Sequence, residues 1–547
     1  MTTLPTPDDA RPPGQRFALA LGRLERLASR PLGAFVLFVL ALVSYGVQAV
    51  AWPLAVGRDL DEYLIAYTQL FDRHVLLPWS LLFRGPLSPL VTGLSLDLAG
   101  GKVAEPLMAV LFAGSVVAWS AAGRAFGAPV ALAVAAVLLV YPGYALMFHE
   151  LSSEPVFAAG FAGWALLVTR AGVQPSARRF ALVGFGVAML ALIRPGNAVL
   201  LAFVLFALVL AASWRARLAW AIAFTLAAVL PLIAWGAHNG LRFGDYTLAR
   251  GGNAVIPFYR AFVLEHIVSP KNGPASRRLA SALDQQLLAR DPYRSYGVTL
   301  DQLFREGGFR VHEDLYVFSD ESFGWSDSYA VLRNAAIEGI RAHPGTYFGG
   351  VASTIWRQLS RAYFHNPPSP PPASPGDAGA PGTIVVGGRR LPKPSEGQLI
   401  PSGQKAWIST PDNSIRQVWT SPTAWHYAFR RPQDRASFNR IMSNVNTLFG
   451  RLPHRAGNAW LLLRLNQLSR WFPRPDLWIA LGVVALVWRR PRGSRILLAL
   501  ALAALLVVVL NAVGQYADLR FILPVAPAFV LFGVGALLGR KPASKPS

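Results

Sequence analysis

Cysteine is absent from the chain, which excludes disulfides and thiolate metal sites together. Charge is scarce as well: 15% of the 547 residues are Asp, Glu, Lys or Arg, against about a quarter in an average soluble domain. The acids are the scarcer sign, at 29 against 52 basic residues. There is no Walker-type phosphate loop, no GxSxG elbow and no HExxH pair, so the usual signatures of P-loop NTPases, serine hydrolases and zincins are missing. Alternating apolar and polar strands are also lacking, which excludes a transmembrane β-barrel.

What is there is apolar and continuous. Hydrophobic residues make up 53% of the chain, in runs long enough to approach or cross a ~30 Å hydrocarbon core as helices. The runs predict about ten membrane helices, at 33–52, 104–122, 126–148, 155–169, 180–193, 197–213, 218–237, 475–488, 496–513 and 521–538. The first is too long for a signal-peptide core and has no small-residue cleavage site, so it is expected to stay as an anchor. The fold class expected is an all-α polytopic membrane protein with a large, mainly helical insertion.

The connections sort by charge. Arg11, Arg16, Arg23, Arg26 and Arg30 precede the first span, and Arg124, Arg170, Arg178, Arg179, Arg215 and Arg217 fall on the same side. So do "WRRPRGSR" at 488–495 and the terminal Arg540, Lys541 and Lys545. The opposite short loops, "HELSSE" and "GQYADLR", share one Arg. The positive-inside rule therefore places both termini in the cytoplasm. The net charge of +23 is explained by this arrangement and by anionic headgroups, not by nucleic acid.

The expected organisation is a cytoplasmic tail at 1–32 and seven helices at 33–237 with a loop at 53–103. An extracytoplasmic insertion at 238–474 and three helices with a tail at 475–547 follow. Within the insertion, 273–308 and 326–364 have amphipathic helical spacing, with Pro344 following a helix end. The Pro/Gly/Ser stretch at 366–382 has nothing to bury and reads as disordered. The short fourth and fifth spans predict a polar cavity at their outer ends.

Carboxylates cluster where they are expensive. Asp59, Asp61 and Glu62 follow the first span directly, and His149, Glu150 and Glu154 lie between the third and fourth. Asp59 and Asp61 form a DxD, a weak signal for nucleotide-sugar transfer, and nucleotide sugars are cytosolic while this loop faces out. His149 with Glu150 is a candidate for a divalent metal, although two adjacent residues are no ligand set and a solvated helix end is the plainer reading. Arg58, Arg73, Arg84, Arg194, Arg242, Arg250 and Arg520 face the same side. Singly each reads as a headgroup contact, and Arg194 as a snorkelling turn residue. Together they suit a phosphate-bearing lipid held while a base acts. Gly251 and Gly252 would let backbone amides approach an anion.

The segment "LDEYLIAYTQLFDRHVLLPWSLLFRGPLSPLVTGL" resembles the first outer loop of GT-C-type, polyprenyl-phosphate-sugar-dependent glycosyltransferases. That superfamily includes protein O-mannosyltransferases and lipid A aminoarabinose transferases. The resemblance rests on Asp61, Glu62 and Tyr63, then "RGPLSPL", "SSEPVF", "LIRPGNAVLL", "HNGLRFGDYTLARGGNAV" and "ADLRFILPVAPAFVLF", in that order. It implies transfer of a sugar from a polyprenyl-phosphate donor to an extracytoplasmic glycan, lipid or protein. Asp61 would be the base, with Asp59 and Glu62 beside it in the catalytic set. Glu150, Glu154, Arg58, Arg84, Arg194, Asn239 and Arg520 would bind substrate. His238-Asn239 stands where the family often has Arg-Asn. Two other readings fit the composition: a lipid or polysaccharide transporter with the acids as gating groups, and a membrane protein with an outer sensory domain.

Overall fold

The computed structural model describes residues 31–210, 212–361, 382–401 and 408–540. The N-terminal arginines, the Pro-rich stretch save its last residue, Lys541 and Lys545 lie outside the described residues. The chain is a membrane protein built mainly of helices. Among the described residues, five helices are long and apolar enough to cross a bilayer, or six if one bent pair counts as a span.

Helix α1 (Pro31–Ala51) is followed by a short strand β1 (Ala55–Val56), then α2 (Leu60–Leu70), α3 (Pro78–Phe83) and α4 (Leu87–Asp97). Then come α5 (Ala104–Arg124), α6 (Ala128–Val140), α7 (Pro142–Leu146), β2 (Glu150–Leu151), α8 (Ser153–Val173) and α9 (Ala177–Ile193). The third expected span is not one helix. Pro142 has no N–H to continue the ladder, and the chain bends by 65° between Ala128–Val140 and Pro142–His149. The expected short fourth span is also corrected: α8 has 21 residues and is a full-length helix. An apolar run stops at a charge, but a helix need not. Ser152 caps α8 by accepting from the Glu154 backbone N–H at 3.4 Å, and Glu154 lies in its first turn. The cavity beside it therefore has another origin than a short helix.

Helix α9 turns at Arg194 into a 3₁₀ segment (Pro195–Phe203) and α10 (Val204–Val209), the sixth expected span. The 30-residue α11 (Trp214–Phe243) packs along α9. The insertion contributes α12 (Gly252–Tyr259), α13 (Pro274–Ala282), α14 (Leu300–Glu306), α15 (Phe309–Phe323), α16 (Ala330–Ala342) and α17 (Pro344–Leu359). It also holds two antiparallel hairpins, β3 (Thr383–Val386) with β4 (Arg389–Pro392) and β5 (Ile415–Trp419) with β6 (Trp425–Phe429). The fold is thus not purely α. After α18 (Pro432–Gly450) and α19 (Ala459–Arg470), α20 (Pro475–Arg489) and α21 (Ser494–Gly514) return to the bundle. The last helix, α22 (Ala526–Leu538), is shorter than the expected span, because 519–521 forms a separate 3₁₀ turn.

One apolar core fills the bundle. A second fills the insertion and takes in Trp79 of α3 and Ala512 of α21. The insertion is therefore seated on the end of the bundle from which the 53–103 loop emerges.

Candidate active site

Asp59 precedes α2 in the left-handed conformation, with φ of 61°, which aspartate tolerates better than most side chains. Glu62 lies three residues on, and the helical repeat brings both carboxylates to one face. Asp61 falls off that face and is exposed. Asp59 and Glu62 line a cleft of about 280 Å³, and Asp61 does not. A two-residue parallel bridge, Ala55 with Glu150 and Val56 with Leu151, fixes this turn beside the start of α8.

Arg84 closes the carboxylate pair. Its Nη2 lies 2.5 Å from Glu62 Oε2, its Nε 3.2 Å from the same oxygen, and its Nη1 3.2 Å from Asp59 Oδ2. Burial alone would lower the guanidinium's pKa, but Glu62 and Asp59 lift it well above its usual value, so it stays charged. The next residue is glycine for a steric reason. A Cβ on Gly85 would stand 2.0 Å from the Leu192 carbonyl oxygen of α9, so only glycine lets the turn dock there. Glu62 takes two of the three Arg84 contacts, the 2.5 Å one included, and is 12% accessible at the side chain, against 19% for Asp59. Asp59 is the more approachable carboxylate.

Across the cleft, three arginines converge on one aromatic pair. Tyr516 and Phe521 have ring centroids 6.3 Å apart. Arg58 donates to the Tyr516 hydroxyl, and Arg520 lies 4.5 Å from the Phe521 ring centroid. Arg194 lies 5.8 Å from the same ring. Among the described residues the carboxylates paired with them are distant for ion pairs: Asp59 at 3.8 Å from Arg58, Glu154 at 3.5 Å from Arg194 and Asp518 at 3.6 Å from Arg520. Arg84 is engaged at 2.5 Å by contrast. The lining also has apolar members, Val507 and Leu510 from helix α21 and Ile193 from α9.

Arg250 is held quite differently. Its side chain is 0% accessible, with Nη1 3.0 Å from Asp245 and Nη2 2.5 Å from Asp320. Its Cζ lies 3.4 Å from the Trp325 ring centroid. The Tyr329 hydroxyl donates to Asp320 at 2.7 Å and accepts from Trp79 Nε1 at 2.8 Å. Arg250 thus joins the loop after α11 to α15 and, through Tyr329, to α3. Gly251, at φ of 67°, sits with its Cβ position 2.4 Å from the Tyr329 ring. It is needed for that packing, while Gly252 reaches the cleft.

Several expected site residues are elsewhere. Asn239 is fully buried in α11, and its amide donates to the Thr247 carbonyl at 3.0 Å, so it shapes the loop bearing Arg250. Arg242 donates to the Asp72 carbonyl, and Arg73 is exposed outside the cleft. His149 is buried with its ring stacked 4.1 Å from Tyr45, and Glu150 lies on β2, neither lining the cleft. Among the described residues no group of three or more His, Asp or Glu is placed to hold a metal, and the His149–Glu150 pair does not fit one.

One wall was not anticipated from the sequence. Phe309, His312, Glu313 and Tyr316 line the cleft from α15, joined by Tyr259 of α12. The signal was legible: these α15 residues recur at i, i+3, i+4 and i+7, one face of a helix.

No family model matches the sequence, and no curated protein matches it. Two solved structures are similar at a low level. ArnT from Cupriavidus metallidurans bound to undecaprenyl phosphate is 14% identical, covers 93% of this chain and 78% of that one, and gives a TM-score of 0.32. The apo state of ArnT from that organism is 15% identical, with 92% and 77% covered and a TM-score of 0.28. Likeness this remote carries no argument about substrate or reaction.

Proposed function

We propose that the chain is an integral membrane glycosyltransferase that moves a sugar from a polyprenyl-phosphate-linked donor to a glycan, lipid or protein acceptor on the extracytoplasmic side. One observation carries this reading. A carboxylate pair, Asp59 and Glu62, shares a cleft with Arg58, Arg194 and Arg520, whose forks make no short ion pair among the described residues. The same cleft is also lined by Val507 and Leu510 of the apolar helix α21 and by Ile193 of α9. That combination suits an amphiphile with a phosphate head and a long apolar tail.

Asp59 accepts the proton of the acceptor hydroxyl as its oxygen attacks the anomeric carbon. The bond from that carbon to the phosphate oxygen breaks, and the lipid phosphate leaves with the electron pair. Arg58, Arg194 and Arg520 stabilise the charge gathering on it. Glu62 orients Arg84, and Arg84 holds the Asp59 carboxylate toward the acceptor.

Purified protein supplied with a panel of polyprenyl-phosphate sugars is expected to transfer label from at least one of them and not from nucleotide sugars. Robust transfer from a nucleotide sugar in lipid-stripped protein would overturn the reading. Arg194→Lys is expected to raise donor KM or lower kcat with unchanged membrane insertion, because lysine cannot reproduce a bidentate phosphate contact. A fully active Lys variant would return Arg194 to a snorkelling role.

The sidedness follows from the arginine distribution, with both termini in the cytoplasm. The lack of native cysteine makes it directly testable. An impermeant thiol reagent should label Thr383→Cys and spare Ala177→Cys in intact cells, both positions being exposed. Labelling of Ala177→Cys alone would invert the topology.

A further inference from the structure

The two sides of the cleft differ in chemistry. The side built from the membrane bundle carries the charged groups. The side built from the insertion presents one face of α15, Phe309, His312, Glu313 and Tyr316, with Tyr259 beside it. A helix face packed on a core is expected to be apolar. This one instead offers three aromatic rings, one carboxylate and one imidazole among the residues lining the cleft.

We propose that the α15 face, with Tyr259, is the subsite that recognises the sugar ring of the donor, so that the insertion reads the sugar while the bundle holds the phosphate. This rests on the glycosyl-transfer reading and adds to it the part of the chain that selects the sugar. A pyranose has C–H faces that pack on aromatic rings and hydroxyls that need directional partners. Phe309, 42% exposed, supplies the stacking ring, and Tyr259, 4% exposed, packs edge-on against it with the centroids 6.1 Å apart. Glu313 supplies a carboxylate acceptor and His312 a ring nitrogen.

The state of His312 argues for a neutral ligand group. It is 4% exposed, its Nε2 lies 2.7 Å from the Tyr316 hydroxyl, and its Nδ1 finds no hydrogen-bond partner among the described residues. Burial pushes its pKa down to about 3, so the imidazole is uncharged at working pH and adds nothing to phosphate binding. A buried nitrogen without a partner is costly unless a ligand satisfies it. A sugar hydroxyl donates and accepts, so it fits either tautomer.

The test compares two probes on the full-length protein in lipid nanodiscs: a bare polyprenyl phosphate, and the same lipid carrying mannose, glucose, galactose or arabinose. At least one glycosylated lipid is expected to bind about tenfold more tightly than the bare one, the increment of one or two good polar and stacking contacts. His312→Gln and Phe309→Ala should each collapse that difference and leave the bare lipid's Kd unchanged. Phe309, 42% exposed, can be truncated without opening a core cavity, so its variant tests the subsite even if the His312 variant misfolds. A difference that persists in folded Phe309→Ala, or a wild type that favours none of the glycosylated lipids, would overturn the sugar subsite alone. A wild type that binds neither bare nor glycosylated lipid would overturn the glycosyl-transfer reading itself.

Discussion

Asp59→Asn is expected to lower the transfer rate by roughly 10²–10⁴-fold, the usual cost of losing a positioned general base, while Asp61→Asn keeps near-normal activity. The sequence favours the opposite assignment, since Asp61 and Glu62 form the Asp-Glu pair of the resemblance. The difference arises from one backbone conformation. With Asp59 at φ of 61° ahead of α2, its side chain shares the cleft with Glu62, and Asp61 is exposed. The asparagine keeps the size and polarity of Asp59 but cannot take the proton. Single-turnover rates for the two variants, with matched expression and melting, decide it. An inactive Asp61→Asn beside an active Asp59→Asn would restore the original choice.

Arg250→Ala should destabilise the protein by about 3–5 kcal/mol, the range for breaking a buried ion pair from one side. It would leave Asp245 and Asp320, 5% and 3% exposed, without their cation. It would also strip the guanidinium from the Trp325 face. A large fall in thermal midpoint in detergent is the expected result. Replacing both aspartates by asparagine together with Arg250→Met should recover much of it, because the uncompensated charges are then gone. A melting point unchanged in Arg250→Ala would show that water reaches this network. Seating of the insertion, and with it the α15 wall, depends on this contact, so activity should fall alongside stability.

Much of the cleft is legible residue by residue. Arg58, Asp59, Glu62, Arg84, Glu154, Arg194 and Arg520 stand out in the sequence as charges beside apolar runs, and the fold brings all of them to one cavity. The reason is general: a charge beside an apolar run is expensive unless it meets water, a partner or a ligand. Asn239, which only the resemblance points to, and Arg250, a charge of the same kind, brace a loop instead, although Arg250 also borders the cleft. A residue's neighbours in sequence do not say whether its partners are protein or substrate. The α15 face was overlooked because attention to apolar periodicity passes over a stripe made of aromatic and ionisable residues.

Hydropathy by itself determined that this is a helical membrane protein, because crossing hydrocarbon demands long apolar helices whatever the tertiary arrangement. The lack of cysteine excluded disulfides and thiolate metal sites by composition alone. Tertiary structure alone decided which aspartate faces the cleft, since that depends on a single φ angle and on a parallel bridge between residues nearly a hundred positions apart. It also decided where the helices break and continue: Pro142 bends an apparently unbroken run by 65°, while α8 takes Glu154 into its first turn under the Ser152 cap. Most of all it decided that α15 closes the cleft, a pairing of segments brought together by packing between two cores and by the buried Arg250 network.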